Sequence, residues 1–219
     1  MPDPNLTEIA CVLDRSGSMG SIIDDAIGGF NAMLEEQQKI DKPATMTIVM
    51  FDHEMKVVTE NVPIRDVKPF TRQTYVPRGS TALNDAIGST IDSLGSRFTN
   101  LPEDKRPGQV LFVILTDGQE NSSSHYRHER IAQMVRHQTE QYGWTFLYLS
   151  ADLDAFAHAQ RLHIPTSVRF CSTPDSVGAT YDVISEATTQ YRHGGARGMS
   201  ISGQQVDTTD STDSPNKAE

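Results

Sequence analysis

At 219 residues the chain is long enough to bury one substantial core and short for two. Its composition, 37% hydrophobic and 22% charged, is that of an ordinary soluble globular protein. A formal charge of −10 argues against a primary role in gripping nucleic acid, which needs clustered Lys and Arg, and is compatible with cation binding.

Residues 1–5 read as an N-terminal extension, and "EIACVLD" (8–14) follows as the first apolar run. It leads into "DRSGSM", where Asp14, Ser16 and Ser18 place three oxygen-bearing side chains within five residues. Ile23, Ala26, Ile27, Phe30 and Leu34 then recur at helical spacing. "TMTIVMF" (45–51) is the second strand. "MKVVTENV" (55–62) alternates weakly after the short turn "DHE" and reads as an antiparallel edge strand. The polar stretch "RGSTALNDAIG" (78–88) brings Ser80 and Thr81 to the start of a second helix, striped by Leu83, Ala86, Ile87, Ile91, Leu94 and Phe98. "QVLFVILTD" (109–117) ends in Asp117 and opens the loop "DGQENSSSH". A weaker helical stripe runs through Ile131, Met134 and Val135, followed by the strand "WTFLYLS" (144–150). Phe156 and Ala157 mark a short helix, "SVRFCS" (167–172) a short strand, and Val177, Tyr181, Ile184 and Tyr191 a last helix over 176–192. From "GGARGMS" onward the pattern dissolves, so residues 195–219 read as a disordered, mildly acidic tail.

The main strands are almost continuously apolar, the habit of strands covered on both faces in parallel sheets. Strand–helix alternation then predicts an α/β fold over residues 6–194: a doubly wound, mostly parallel six-stranded sheet with one antiparallel edge strand and helices on both faces. No apolar run approaches membrane-spanning length and no basic-then-apolar leader opens the chain, so a cytoplasmic protein without membrane contact is expected. Cys11 and Cys171 lie in apolar runs and read as buried thiols of a reducing compartment.

In such a sheet ligands bind where loops leave the carboxyl ends of the strands. Asp14, Ser16 and Ser18 follow the first strand, Asp117 follows another, and Thr81 precedes a helix. These candidate ligands are all hard oxygens, which suits Mg²⁺, Mn²⁺ or Ca²⁺ rather than zinc or copper. Few carboxylates on short side chains favour Mg²⁺ or Mn²⁺ over Ca²⁺. The bland reading is that Ser18 or Ser21 caps a helix, Thr81 or Ser80 caps another, and Asp117 with Asn121 makes turn hydrogen bonds.

"DRSGSM" resembles the Asp-x-Ser-x-Ser signature of von Willebrand factor A domains, with "GSTALNDAI" resembling their threonine loop and "LTDGQEN" their aspartate loop. The resemblance covers roughly residues 6–194 and implies a metal-ion-dependent adhesion site. By that resemblance Ser16 and Ser18 ligate a Mg²⁺ or Mn²⁺ ion, and Thr81 does so directly or through water. Asp14 and Asp117 act mostly through water, holding the hydroxyls in place. The ion keeps one position for a Glu or Asp carboxylate of a protein partner, and catalysis is not expected. Intracellular bacterial and phage relatives of this type work beside ATPases or in assemblies, which implies a partner of that kind.

The enzyme alternative is a serine hydrolase. "SGSMG" comes within one residue of a nucleophile elbow, which makes Ser18 the nucleophile with Asp154 and His158 further along. The elbow would follow the first strand rather than a central one, and "DAFAH" is one residue too long for a D-x-x-H pair. Phosphate-binding and dinucleotide-binding glycine motifs are absent. His125 and His128, three apart, read as part of a solvated helix start, as do Arg127 and Arg130.

Overall fold

The computed structural model describes residues 1–151, 155–169, 174–194 and 205–207. In chain order these form β1 (Asp3–Asp14), α1 (Ile23–Lys39), β2 (Ala44–Phe51), β3 (Met55–Pro63), α2 (Leu83–Asn100) and β4 (Pro107–Thr116). Then come α3 (His128–Tyr142), β5 (Thr145–Ser150), α4 (Ala155–Arg161), β6 (Thr166–Arg169), α5 (Pro174–Gly194) and β7 (Gln205–Asp207). One sheet joins all the strands in the order β3-β2-β1-β4-β5-β6-β7. Only β3 runs antiparallel, pairing with β2 at the edge, as its weak alternation and short turn predict.

The continuous apolar runs have the physical cause expected of them. Ile9, Cys11 and Leu13 of β1 face one core layer, with α1 and α5, while Ala10 and Val12 face the other, with α2, α3 and α4. The same split runs through β4, where Leu111, Val113 and Leu115 oppose Val110, Phe112 and Ile114. Cys11 is a buried free thiol, and burial with the nearby Glu8 charge pushes it up to about 12; Cys171 lies outside the described residues. No helix among the described residues is long and apolar enough to cross a membrane.

Among the described residues the sheet has seven strands rather than the six expected. Residues 205–207 pair parallel to β6, within the stretch read as a tail. An edge strand held by backbone hydrogen bonds needs no apolar periodicity, so composition gives no warning of it. The rest of 195–219, and positions 170–172 of the expected sixth strand, lie outside the described residues. At the other end β1 begins at Asp3, inside the stretch read as an extension, with its N–H bonded to the Arg106 carbonyl. Gly108 permits this, since a Cβ there would fall 2.5 Å from the Asp3 carbonyl oxygen.

Beneath the carboxyl end of the sheet an aromatic cluster ties α1, the 64–80 segment and α5 together. The Phe30 and Phe70 rings stack at 4.3 Å, Tyr75 meets Phe70 edge-on at 5.7 Å, and Tyr181 meets Phe30 edge-on at 6.4 Å. Tyr181 sits directly over Gly29, where a Cβ would lie 2.3 Å from its ring. Gly29→Ala therefore gains helix propensity of about 1 kcal/mol but drives a methyl into a fully packed ring. A net loss of roughly 1–2 kcal/mol is expected, read as a lower urea midpoint with an unchanged slope.

Candidate metal centre

Three loops meet at the carboxyl ends of β1 and β4, where the parallel topology leaves a crevice. The first loop leaves β1 at Asp14, which is fully buried. One carboxylate oxygen of Asp14 accepts the Ser16 N–H at 2.6 Å, and the other accepts the Thr116 hydroxyl at 2.6 Å. The Asp14 carbonyl accepts the hydroxyl of buried Tyr75, so both ends of the residue are held. A short 3-10 turn over Gly17–Ile22 then carries the chain into α1.

Ser16 and Ser18 project to the same side. Their hydroxyl oxygens are 3.1 Å apart, and Ser18 Oγ donates to Asp117 Oδ1 at 2.7 Å. Asp117 follows β4 directly and is partly buried, whereas Ser18 is exposed. Thr81 closes the group from the second loop. A Cβ built on Gly118 would lie 3.4 Å from the Thr81 hydroxyl and 3.7 Å from Ser18 Oγ, so the glycine leaves open the space between them. All five residues expected to form the site thus converge on one crevice. The donor set, two carboxylates and three hydroxyls around a cradle that a methyl group would fill, fits a hard divalent cation.

The capping alternative fails on geometry. Neither Ser16 at the start of the 3-10 turn nor any side chain at the start of α2 makes a cap hydrogen bond. The first N–H groups of α2 are satisfied from the third loop instead: Asn84 donates to Glu120 at 2.8 Å and Asp85 to Ser123 at 3.0 Å. That arrangement leaves the Thr81 hydroxyl available. The same loop clamps Thr81 through its backbone, its N–H donating to Asn121 Oδ1 at 2.9 Å and its carbonyl accepting the Asn121 N–H at 3.0 Å. Asn121 therefore sets the Thr81 backbone rather than a turn around Asp117.

Electrostatics point the same way. Burial lifts Asp14 from 3.8 to about 6, against the Thr116 hydroxyl and Ser16 bonds that favour its ionised form; the charge of Asp117 adds to the rise. Burial also raises Asp117, against the Ser18 hydroxyl. A cation between them would offset both rises.

One part of this machinery is not legible as a motif. Asp52, at the end of β2, is fully buried and joins the first two loops. Its Oδ2 lies 2.9 Å from Arg15 Nε and 2.9 Å from Arg78 Nε, while Oδ1 accepts the Glu54 N–H at 2.8 Å. Its backbone carbonyl takes the Ala82 N–H at 2.8 Å. Arg78 in turn donates its N–H to the Arg15 carbonyl at 2.8 Å, and Gly17 to the Gly79 carbonyl at 3.1 Å. Gly79 needs its positive φ of 68°, and a Cβ there would fall 2.1 Å from His53 Nδ1. Asp52, His53 and Glu54 bring potential ligand atoms within 4.8 Å of one another. The two guanidinium groups already neutralise this cluster, so it is an arginine clamp on the loops. The signal available in the sequence was its position: an acidic residue directly after a strand, like Asp14 and Asp117.

His125 and His128 do not form a pair on one helix. Asp85 accepts the N–H groups of Ser124, His125 and Tyr126, so α3 starts only at His128. The Ser18 hydroxyl has Asp117 and Ser16 as hydrogen-bond partners and no imidazole among the described residues; Asp154 lies outside them.

No protein-family model and no curated protein matches the sequence. Solved structures match by shape. A variant of the PilB minor pilin from Streptococcus sanguinis superposes with a TM-score of 0.62 at 14% identity, over 85% of this chain and 62% of that one. The vWF domain of the type V pili tip protein Mfa5 from Porphyromonas gingivalis gives 0.58 at 11% identity, over 85% of this chain and 96% of that one. Proximal thread matrix protein 1 from the mussel byssus, in a structure with a zinc-occupied MIDAS motif, gives 0.57 at 16% identity, over 84% and 46%. The chain thus spans less than two thirds of the pilin and about half of the byssus protein.

Proposed function

We propose, from the premise that the fold is that of von Willebrand factor A domains, that residues 6–194 form a metal-dependent protein-binding module. Asp14, Ser16, Ser18, Thr81 and Asp117 hold Mg²⁺ or Mn²⁺, and the ion receives a Glu or Asp carboxylate of a partner protein. The observation that carries this reading is the Ser16–Ser18–Asp117 hydroxyl–carboxylate chain facing Thr81 across the open space at Gly118. When bound, the ion supplies an electropositive centre for a carboxylate. The two aspartates hold the serines in place: Asp14 by fixing the Ser16 backbone, Asp117 by orienting the Ser18 hydroxyl. Catalysis is no part of the proposal: Ser18 has no imidazole among its hydrogen-bond partners in the described residues, and the carboxylate it donates to, Asp117, is assigned to the metal. A cytoplasmic setting belongs to the same reading, supported by the unpaired thiol of Cys11, and an ATPase or assembly component is the proposed partner class.

Affinity capture from the source cells tests it. Wild-type protein in Mn²⁺ is expected to retain a partner that EDTA releases and that Asp117→Asn fails to retain. Replacing one acidic residue of that partner by its amide abolishes retention. Capture that is indifferent to both EDTA and Asp117→Asn would overturn the reading.

A further inference from the structure

Large apolar side chains rarely stand exposed side by side without a reason. Five such side chains are exposed among the described residues, and three of them gather beside the metal loops: Met55 at 42%, Val57 at 46% and Val76 at 48%. Met55 and Val57 lie on the same face of β3, paired with Phe51 and Val49 of β2. That face is turned toward α2, yet α2 packs chiefly over β2 and leaves β3 largely exposed. Two adjoining hollows result, sharing Met55 and Ser89. The first begins at Ala82, one residue from Thr81, and the second ends at Ser93 and Glu60. Together they make one furrow between β3 and α2, whose near end is lined by Ala82, the neighbour of Thr81 in the chain. Along α2 from residue 82 to residue 93 it runs roughly 17 Å at the helical rise per residue. About five residues of extended chain cover that length.

The charges along the furrow say what could lie in it. Glu54 is paired with Arg78 at 2.6 Å, and Asp85 is engaged by the N–H groups ahead of α3. Glu60, at the far end, is exposed and has no ion pair among the described residues. With the ion of the proposed site bound, the near end attracts an anion; the middle is mostly apolar, and the far end attracts a cation.

We propose that this furrow receives an extended partner segment in which one acidic residue, bound at the metal, is followed by apolar side chains at alternate positions against Met55 and Val57, and then by a basic residue at Glu60. The proposal rests on the metal-site reading and adds the partner's sequence chemistry to it.

Panning a random dodecapeptide phage library on the Mn²⁺-loaded protein, with elution by EDTA, tests it. The expected peptides carry one acid followed by alternate apolar residues and a base. A peptide so selected binds Met55→Lys/Val57→Lys at least about tenfold more weakly, while calorimetry finds Mn²⁺ affinity unchanged. Glu60→Lys, a surface change with no core to disturb, shifts the selected far-end residue from basic to acidic. Peptides with an acid but no apolar or basic preference, equal binding to both proteins, or no enrichment by a protein that binds Mn²⁺ would overturn the furrow and leave the metal site standing. Absence of Mn²⁺ binding overturns both. Metal-dependent dimers in sedimentation that Met55→Lys/Val57→Lys abolishes would assign the furrow to a second copy of this chain, against the proposal.

Discussion

Mn²⁺ at a hundredfold excess over its Kd is expected to stabilise the wild-type protein by about 2.7 kcal/mol, a rise in melting temperature of roughly 5–11 °C, and to do nothing for Asp14→Asn. The substitution has a second consequence in the metal-free protein. Burial lifts Asp14 from 3.8 to about 6. Below pH 3.8 the residue is protonated in both folded and unfolded chains and contributes no difference. Between pH 3.8 and 6 the folded chain binds the extra proton, so stability falls as pH rises through this window. Above pH 6 the folded chain carries a buried carboxylate, at a cost of about 3 kcal/mol by the linkage relation. Asp14→Asn removes that charge while keeping an acceptor for the Ser16 N–H, so the metal-free variant is expected to be more stable than wild type at pH 7.5 and equal to it near pH 3.8. In the wild type the metal-induced shift shrinks below pH 6, where protons compete for Asp14. Differential scanning fluorimetry at several pH values, with and without Mn²⁺, reads all of these. A full metal shift in Asp14→Asn would remove Asp14 from the site.

The second large effect lies far from the metal. Glu8 is fully buried on β1, where its carboxylate accepts hydroxyls of Thr45 and Thr47 at 2.5 Å each and faces Arg97 Nη2 at 2.8 Å. Arg97 reaches it from α2 and also lies over the Phe98 ring at 5.1 Å. Arg97→Met keeps much of the packing volume and removes the only cation paired with a buried carboxylate among the described residues at this point of the sheet. A loss of about 3–5 kcal/mol is expected in urea unfolding. Adding Glu8→Gln removes the stranded charge and returns more than half of that loss. If the single variant loses under 1 kcal/mol, the pair is a bystander rather than the anchor of α2 on the sheet.

The five candidate site residues could be picked out because each stands near a strand's carboxyl end or a helix's start, where an α/β sheet gathers its loops. Their shared chemistry, hard oxygens only, then narrowed the ligand to a small class of ions. The supports were not legible. Asp52 looks like a turn residue, and its role depends on two arginines from loops that the sequence does not bring near it. Glu120 and Ser123 cap α2 across a gap of more than thirty residues. Tyr75 reaches the Asp14 carbonyl from a segment with no periodicity at all.

Apolar patterning alone determined the strand and helix alternation, the antiparallel edge at β3 and the two-faced core, because these follow from which side chains must leave water. The position of the polar stretches at strand ends and a helix start, with their likeness to three known loops, singled out the oxygens expected to come together. Tertiary structure decided which polar groups hold those oxygens in place, that a seventh strand extends the sheet, and that an apolar furrow runs between β3 and α2. Those features rest on long-range hydrogen bonds and on surface that one element fails to cover, and neither leaves a local period in the chain.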